Sequence, residues 1–245
     1  DAQESRGLGD VYKRQGLDVE QQKEFTGREL IKISVKSNED KDEKISKVFE
    51  AGDCTWLVTN ENKVYGAGYN GSYFSLGVGL QKTTVNEFSL VQGLPNESIK
   101  IIDGNNYYTG NTYVAALLEN GDIYKTGYVN KTLNHSEIFV KVIDHNDINN
   151  NYGSKIKKIT FRGASLYALL ENGNLICINS ENQVSKVNEF TNIVDIDAGW
   201  NSAPLLIRDI NNDVYLYSAL SNAREQKYLG LNTCLLYTSP SPRDS

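Results

Sequence analysis

The chain has 245 residues and a formal net charge of −6, with 39% hydrophobic and 23% charged residues, enough for one large domain or part of one. Mild acidity without basic clusters argues against a direct grip on nucleic-acid phosphates, and no apolar run approaches the roughly 18 residues that span a bilayer, so neither nucleic acid nor membrane is an expected partner. Cys54, Cys177 and Cys234 are too few for a disulfide framework and form no CxxC pair for zinc, and they fit a reducing, intracellular compartment, cytoplasm or nucleus.

In chain order the first segment is set aside. Ser5–Gln15, "SRGLGDVYKRQ", can be reverse-translated to a DNA string whose opposite strand, shifted by one base, encodes "CLLYTSPSPR". That peptide begins at Cys234, near the other end of the chain. The shared string looks like the transposase adaptor of sequencing libraries. Residues 1–15 and 234–245 are therefore expected to be adaptor-derived, not native and disordered, leaving Gly16–Thr233 as the native unit, truncated at both ends. The adaptor segments are balanced in charge, so the acidity belongs to the middle.

Four segments then align: "ISKVFEAGDCTWLVTNENKVYGAG", "IKIIDGNNYYTGNTYVAALLENGDIYKTG", "IKKITFRGASLYALLENGNLICIN" and "IVDIDAGWNSAPLLIRDINNDVYLYS". Each opens with an apolar strand reaching an anchor glycine, expected to form a structural turn: Gly52, Gly104, Gly163 and Gly199. A second apolar run follows, then a tight turn, then a third strand starting at Val64, Ile123, Leu175 or Val214. The turn position holds Asn62, Gly121, Gly173 and Asn212. Gly and Asn are the residues that tolerate the positive φ of a short hairpin, so the alternation has a backbone cause. A single hairpin cannot bury its faces, whereas sheets stacked radially can. The expected fold is all-β, a β-propeller of four-stranded antiparallel blades, with about four blades present and no helix. "SNEDKDEKI" and "DHNDINNNYGSK" read as solvated loops.

The stretch "VYGAGYNGSYFSLGVG" is similar to the regulator-of-chromosome-condensation repeat, whose pattern includes Asn/Asp-Gly-x-Val-Tyr-x-Trp-Gly-x-Asn and then Gly-Gln-Leu-Gly-Leu-Gly. Val64, Tyr65, Gly68 and Asn70 match the first section, with Ala67 at the Trp place; Ser75–Gly79 match the second. "ALLENGDIYKTG" matches the hairpin and Gly127, "YALLENGNLICIN" the hairpin alone, and Leu229, Gly230 and Leu231 echo the Leu-Gly-Leu section. "GLD" at Gly16 reads as the remnant of that section from an earlier repeat. The family's His and Trp are absent from every repeat. The resemblance covers nearly all of 16–233 and implies a seven-bladed ring. WD-repeat, kelch and sialidase-like propellers are the rivals; their Trp-Asp, Gly-Gly and Ser-x-Asp-x-Gly signatures are missing.

Chemistry is sparse, and no catalytic, metal or cofactor residue is assigned. His135 and His145 read as exposed loop histidines without a third ligand. Asp195 and Asp197 share a strand face and read as its solvated side or the cap before Gly199, rather than an acid/base pair. Cys54 reads as buried, not nucleophilic. The remaining signal is aromatic: Tyr69, Tyr73, Phe74, Tyr107, Tyr108 and Trp200 sit on inter-strand loops, where packing and partner contact compete as explanations. The leading expectation is a non-enzymatic protein–protein interaction scaffold that uses no cofactor. The alternative, implied by the resemblance, is a guanine-nucleotide exchange factor for a small GTPase. A sialidase-like hydrolase is a third reading, for which the required Arg cluster is missing.

Overall fold

The computed structural model describes Val35 and residues 43–71, 73–106, 112–199 and 204–217. Both adaptor-like segments, the Gly16 remnant and the Leu229–Leu231 match lie outside them, as do Tyr107, Tyr108 and Trp200. Four antiparallel sheets follow in chain order. The first holds β1 (Ile45–Ala51), β2 (Cys54–Thr59), β3 (Val64–Tyr69) and β4 (Thr84–Leu90). The second holds β5 (Ile99–Asn106), β6 (Thr112–Leu118), β7 (Ile123–Tyr128) and β8 (His135–Ile143). The third holds β9 (Ile156–Arg162), β10 (Ser165–Leu170), β11 (Leu175–Ile178) and β12 (Val184–Val187). The fourth shows three strands among the described residues, β13 (Ile193–Ala198), β14 (Leu205–Asp209) and β15 (Val214–Tyr217). The third strands begin where the repeats place them.

Strand order within each sheet is sequential, and β1, β5, β9 and β13 lie against one another in succession. The sheets are therefore blades of a propeller arranged about their first strands. Among the described residues no helix is long and apolar enough to cross a membrane.

The second strand of each blade explains its unbroken apolar sequence. Cys54, Trp56 and Val58 of β2 pack with Val114, Ala116 and Leu118 of β6. The alternate residues of β6, Tyr113, Ala115 and Leu117, pack with Leu166, Ala168 and Leu170 of β10. Tyr167 and Leu169 of β10 in turn meet Leu205 and Ile207 of β14. β6 and β10 each feed two inter-blade cores with a period of two, so both of their faces must be apolar, whereas β14 leaves Leu206 exposed. Every fully buried Leu or Ile there stabilises the stack by about 1.5–3 kcal/mol.

The hairpin turns have φ of 61° at Asn62, 100° at Gly121, 78° at Gly173 and 67° at Asn212. Gly104 departs from the repeat reading. It is not in a turn but inside β5, paired with Val114, because the β5–β6 hairpin runs on to Asn106 and Thr112. A Cβ there would lie 3.0 Å from the Tyr113 carbonyl and 3.4 Å from Ala51 of the neighbouring blade, so close approach requires glycine.

A helix also appears where a polar loop is expected: α1 (His145–Tyr152) lies within "DHNDINNNYGSK". Asp144 caps it by accepting the Asn146 N–H, Gly153 ends it at φ 67°, and Ile148 is its one buried residue. Eight residues with one apolar anchor leave no visible helical period.

A β-bulge recurs at one place in all four first strands, at Ser46, Lys100, Lys157 and Val194. Lysines at or beside the bulge reach the next blade. Lys47 Nζ donates to the Ile99 carbonyl at 2.6 Å, Lys100 to Ile156 at 3.3 Å and Lys157 to Val194 at 3.0 Å.

Candidate partner-binding site

Strand direction divides the blades into two ends. First strands finish at one end, the upper rim, which carries loop 70–83 and segment 129–134; the hairpin turns and α1 mark the lower rim.

Asn70 organises the long upper loop. It is fully buried, its Nδ2 donates to the Leu80 and Lys82 carbonyls at 2.8 and 2.9 Å, and its Oδ1 accepts the Leu76 N–H at 2.8 Å. Leu76 is buried, and its carbonyl accepts Trp56 Nε1–H at 3.2 Å. Gly77, at φ 77°, lies so close to Phe139 that a Cβ would sit 2.5 Å from its ring. The Gly79 N–H donates to the Glu137 carbonyl and the Gln92 N–H to that of Gly77. The family-like residues Asn70 and Ser75–Gly79 thus latch the loop between the first and second blades.

This fixed loop presents Tyr73 and Phe74, both half-buried. Phe74 has φ 54°, the left-handed region that a bulky side chain rarely enters. The Tyr73 ring lies edge-on to Tyr128 at 6.4 Å and to His135 at 5.8 Å, and Phe74 lies 6.2 Å from His135. The row continues inward from Tyr128 to Tyr113 at 5.5 Å and from Tyr113 to Phe161 at 6.1 Å. Six rings therefore cross the upper rim of the second blade. Leu80, Leu133 and Ile138, on the same segments, expose apolar side chains to solvent. The inner rings, Tyr113 and Phe161, are buried in the core, and the outer half-buried rings with these exposed aliphatic side chains have the composition of a protein-docking anchor.

The sequence points to Tyr73 and Phe74 but not to their company. His135, expected as an isolated loop residue, is exposed at the start of β8 and completes the outer end of the row. Tyr128 pairs with His135 and Tyr113 with Gly127, and that register is the signal that brings them together. Tyr69 ends β3 apart from the row; its N–H donates to Asp53 and its carbonyl accepts the Cys54 thiol at 3.0 Å. The strand ends flanking 107–111, and Gly199 just before Trp200, also face the upper rim.

Cys54 is buried; burial first, then the neighbouring Asp53 charge, pushes its thiol up to about 12, which removes nucleophilic character at neutral pH. Asp195 and Asp197 do not act as a pair. Asp195 is bound to Lys158 at 3.0 Å, which overcomes burial and holds its carboxyl below the usual range. Asp197 is exposed and accepts the Ala198 N–H.

On the lower rim Asp122, Asp144 and His145 converge as metal ligands might be arranged. An ammonium group already sits among them: Lys141 Nζ lies 2.8 Å from Asp122 and 2.6 Å from Asp144. His145 is half-buried rather than exposed, and both its Nδ1, at 2.8 Å, and its N–H, at 2.9 Å, address Asp122 Oδ1. The carboxylates are neutralised by the protein itself, a structural ion-pair network. Burial pushes Asp122 up, but Lys141 and His145 outweigh it and hold the carboxyl low. Lys141, then the Asn146 N–H, brings Asp144 down to about 2. Both acids have lowered folded values, so their contribution is whole above the ordinary 3.8 and is lost as pH falls toward 2. Thermal melts across that range should show a steep loss in the wild type and a shallower one in Lys141→Met. Identical slopes would remove the network as the cause.

No family model matches the chain, and no curated protein matches it. Solved structures do. Human WBSCR16 superposes with a TM-score of 0.52 at 18% identity, covering 64% of this chain and 43% of that one. Yeast RCC1 (Prp20), solved bound to Kap60, gives 0.48 at 14% identity over 64% and 40%. Prp20p from Saccharomyces cerevisiae gives 0.48 at 13% identity over 76% and 46%. The chain spans less than half the length of each of these proteins. The fold is a β-propeller, as the repeats imply, and is similar to that of human WBSCR16.

Proposed function

We propose that this chain is a non-enzymatic protein–protein interaction scaffold whose docking surface is the aromatic row of the upper rim. The observation that carries the reading is the placement of Tyr73 and Phe74 on a loop latched by Asn70, Trp56 and Gly77, with Phe74 held at φ 54°. Backbone strain persists only where surrounding structure over-determines it, and it clusters at sites of recognition. A preformed loop also keeps the ordering cost of binding low. The residues that sequence reading weighed for chemistry support the non-enzymatic part of this reading. The nucleophile candidate Cys54 is buried with a raised thiol, and the carboxylate candidates are ion-paired or solvated.

The test is quantitative binding of a partner isolated with the wild-type chain. Tyr73→Ala should weaken it about tenfold or more, the size expected of an aromatic anchor, with the melting temperature unchanged. Glu61→Ala on the lower rim should leave binding intact. Equal binding by wild type and Tyr73→Ala would sink the aromatic docking surface. Guanine-nucleotide exchange is the competing reading. It predicts accelerated release of labelled GDP from a small GTPase, and that result would replace the scaffold.

A further inference from the structure

The fold handles carboxylates differently on its two rims. Every ion pair between described residues lies toward the lower rim: Lys47–Glu119, Lys63 with Glu43 and Glu61, Asp122 and Asp144 with Lys141 and His145, and Lys158–Asp195. Asp103, Glu137, Glu181 and Asp197, on the upper rim, take part in none of them.

These acids flank the aromatic row. Asp103 accepts the Phe161 N–H at 2.8 Å, at the inner end of the row. Asp103 and Asp197 hold equivalent register positions, opposite Ala115 and Leu206, on either side of Thr160 opposite Tyr167. Burial, with the Asp197 charge adding to it, raises the Asp103 carboxyl despite its hydrogen bonds. Glu181 lies beside Tyr128 in the middle of the row, where burial first and then the Glu181 charge raise the phenol. One Glu181 oxygen accepts the Lys131 N–H at 3.2 Å, and the other is buried with no hydrogen-bond partner among the described residues. Lys125 lies behind it, with its ammonium turned to Asn182. Glu137 stands at the outer end, hydrogen-bonded to Gln81.

Ring faces and negative edges together select one kind of guest. A guanidinium stacks on Tyr or Phe and presents a planar fork of donors to carboxylates alongside, which an ammonium does less well. We propose that the upper rim receives an arginine-bearing, positively charged segment of a partner protein. Its guanidinium groups lie on Tyr73, Phe74 and Tyr128 and are bound by Glu181 and by the Asp103–Asp197 pair. This rests on the docking surface above and adds the chemistry of its occupant.

The probe is a labelled nona-arginine peptide, with nona-lysine and nona-glutamate as comparisons, read by fluorescence anisotropy. Nona-arginine should bind several-fold tighter than nona-lysine, nona-glutamate should not bind, and affinity should fall steeply with salt. Asp197→Asn combined with Glu181→Gln should weaken nona-arginine about tenfold, while Asp209→Asn with Asp213→Asn on the lower rim should have no effect. Both double variants are isosteric, and unchanged melting temperatures confirm that they are folded. Equal weakening by the two double variants would show diffuse attraction to an acidic protein and overturn the site. So would equal binding of nona-lysine and nona-arginine, or no binding of nona-arginine. If nona-arginine fails while Tyr73→Ala still weakens the native partner, the docking surface stands and only its cationic guest is lost.

Discussion

Trp56→Ala is expected to cost about 3–5 kcal/mol, the range for removing a large aromatic from a packed core. Trp56 is fully buried in the core shared by the first two blades. Its indole stands so close to Gly66 that a Cβ there would lie 3.2 Å from Nε1, and that nitrogen donates to the Leu76 carbonyl. Truncation therefore opens a cavity and also strands a buried acceptor, which adds a desolvation penalty. Urea unfolding followed by circular dichroism should show a large drop in midpoint with little change in slope. A loss below about 1 kcal/mol would mean that the seam between these blades collapses freely around the gap. The variant also bears on recognition, because Leu76 belongs to the loop that carries Tyr73 and Phe74. Partner affinity should fall further than the lost stability alone explains.

Lys125→Met is expected to act in the opposite direction. Lys125 is 1% exposed, and its Nζ donates to Asn182 Oδ1 at 2.6 Å across the seam between the second and third blades. Burial, partly offset by Glu181, lowers its ammonium from the ordinary 10.5 to about 8. A lowered base binds its proton less tightly in the folded chain than in the unfolded one. The folded state thus bears the full penalty at neutral pH and is relieved of it as pH rises from 8 toward 10.5. The gap corresponds to at most ~3 kcal/mol at neutral pH. Lys125→Met keeps the apolar stem and removes the charge, so at pH 7 it should raise stability by some part of that amount. The stranded Asn182 oxygen reduces the gain. The difference between wild-type and variant stability should shrink from pH 8 to pH 10.5; a difference that stays constant would show that Lys125 does not titrate in that range.

Both cases show what a sequence can and cannot disclose about a stacked-blade protein. The hairpin turns were readable because positive φ narrows the choice to Gly and Asn, as Asn62, Gly121, Gly173 and Asn212 show. The third-strand starts followed from those turns. Gly104 was misread because close approach to another blade demands the same residue as a turn does. Helix α1 escaped notice because its apolar content is essentially Ile148, and its caps, Asp144 and Gly153, are equally at home in loops. Tyr73 and Phe74 stood out as aromatics beside glycines. Tyr113, Tyr128 and His135 did not, since their meeting depends on strand register and on a loop from the preceding blade. Lys125 in "IYKTGY" resembles any solvent-facing strand lysine, yet it is buried with its ammonium on Asn182 of the third blade.

The bulges of the first strands carry a consequence for how the array comes apart. Lysine stitches join the first blade to the second, the second to the third and the third to the fourth. At the fourth blade the bulge position holds Val194, which receives a stitch and has no ammonium to pass on. The row is polarised, each ammonium reaching from one blade to a backbone carbonyl of the next. In a repeat array, where each unit is steadied chiefly by its neighbours, unravelling starts at the least-tied unit and propagates. Loss of any one of the three lysines is therefore expected to open the seam it closes before the others, and a Lys100→Met variant should part the second blade from the third first under load or heat.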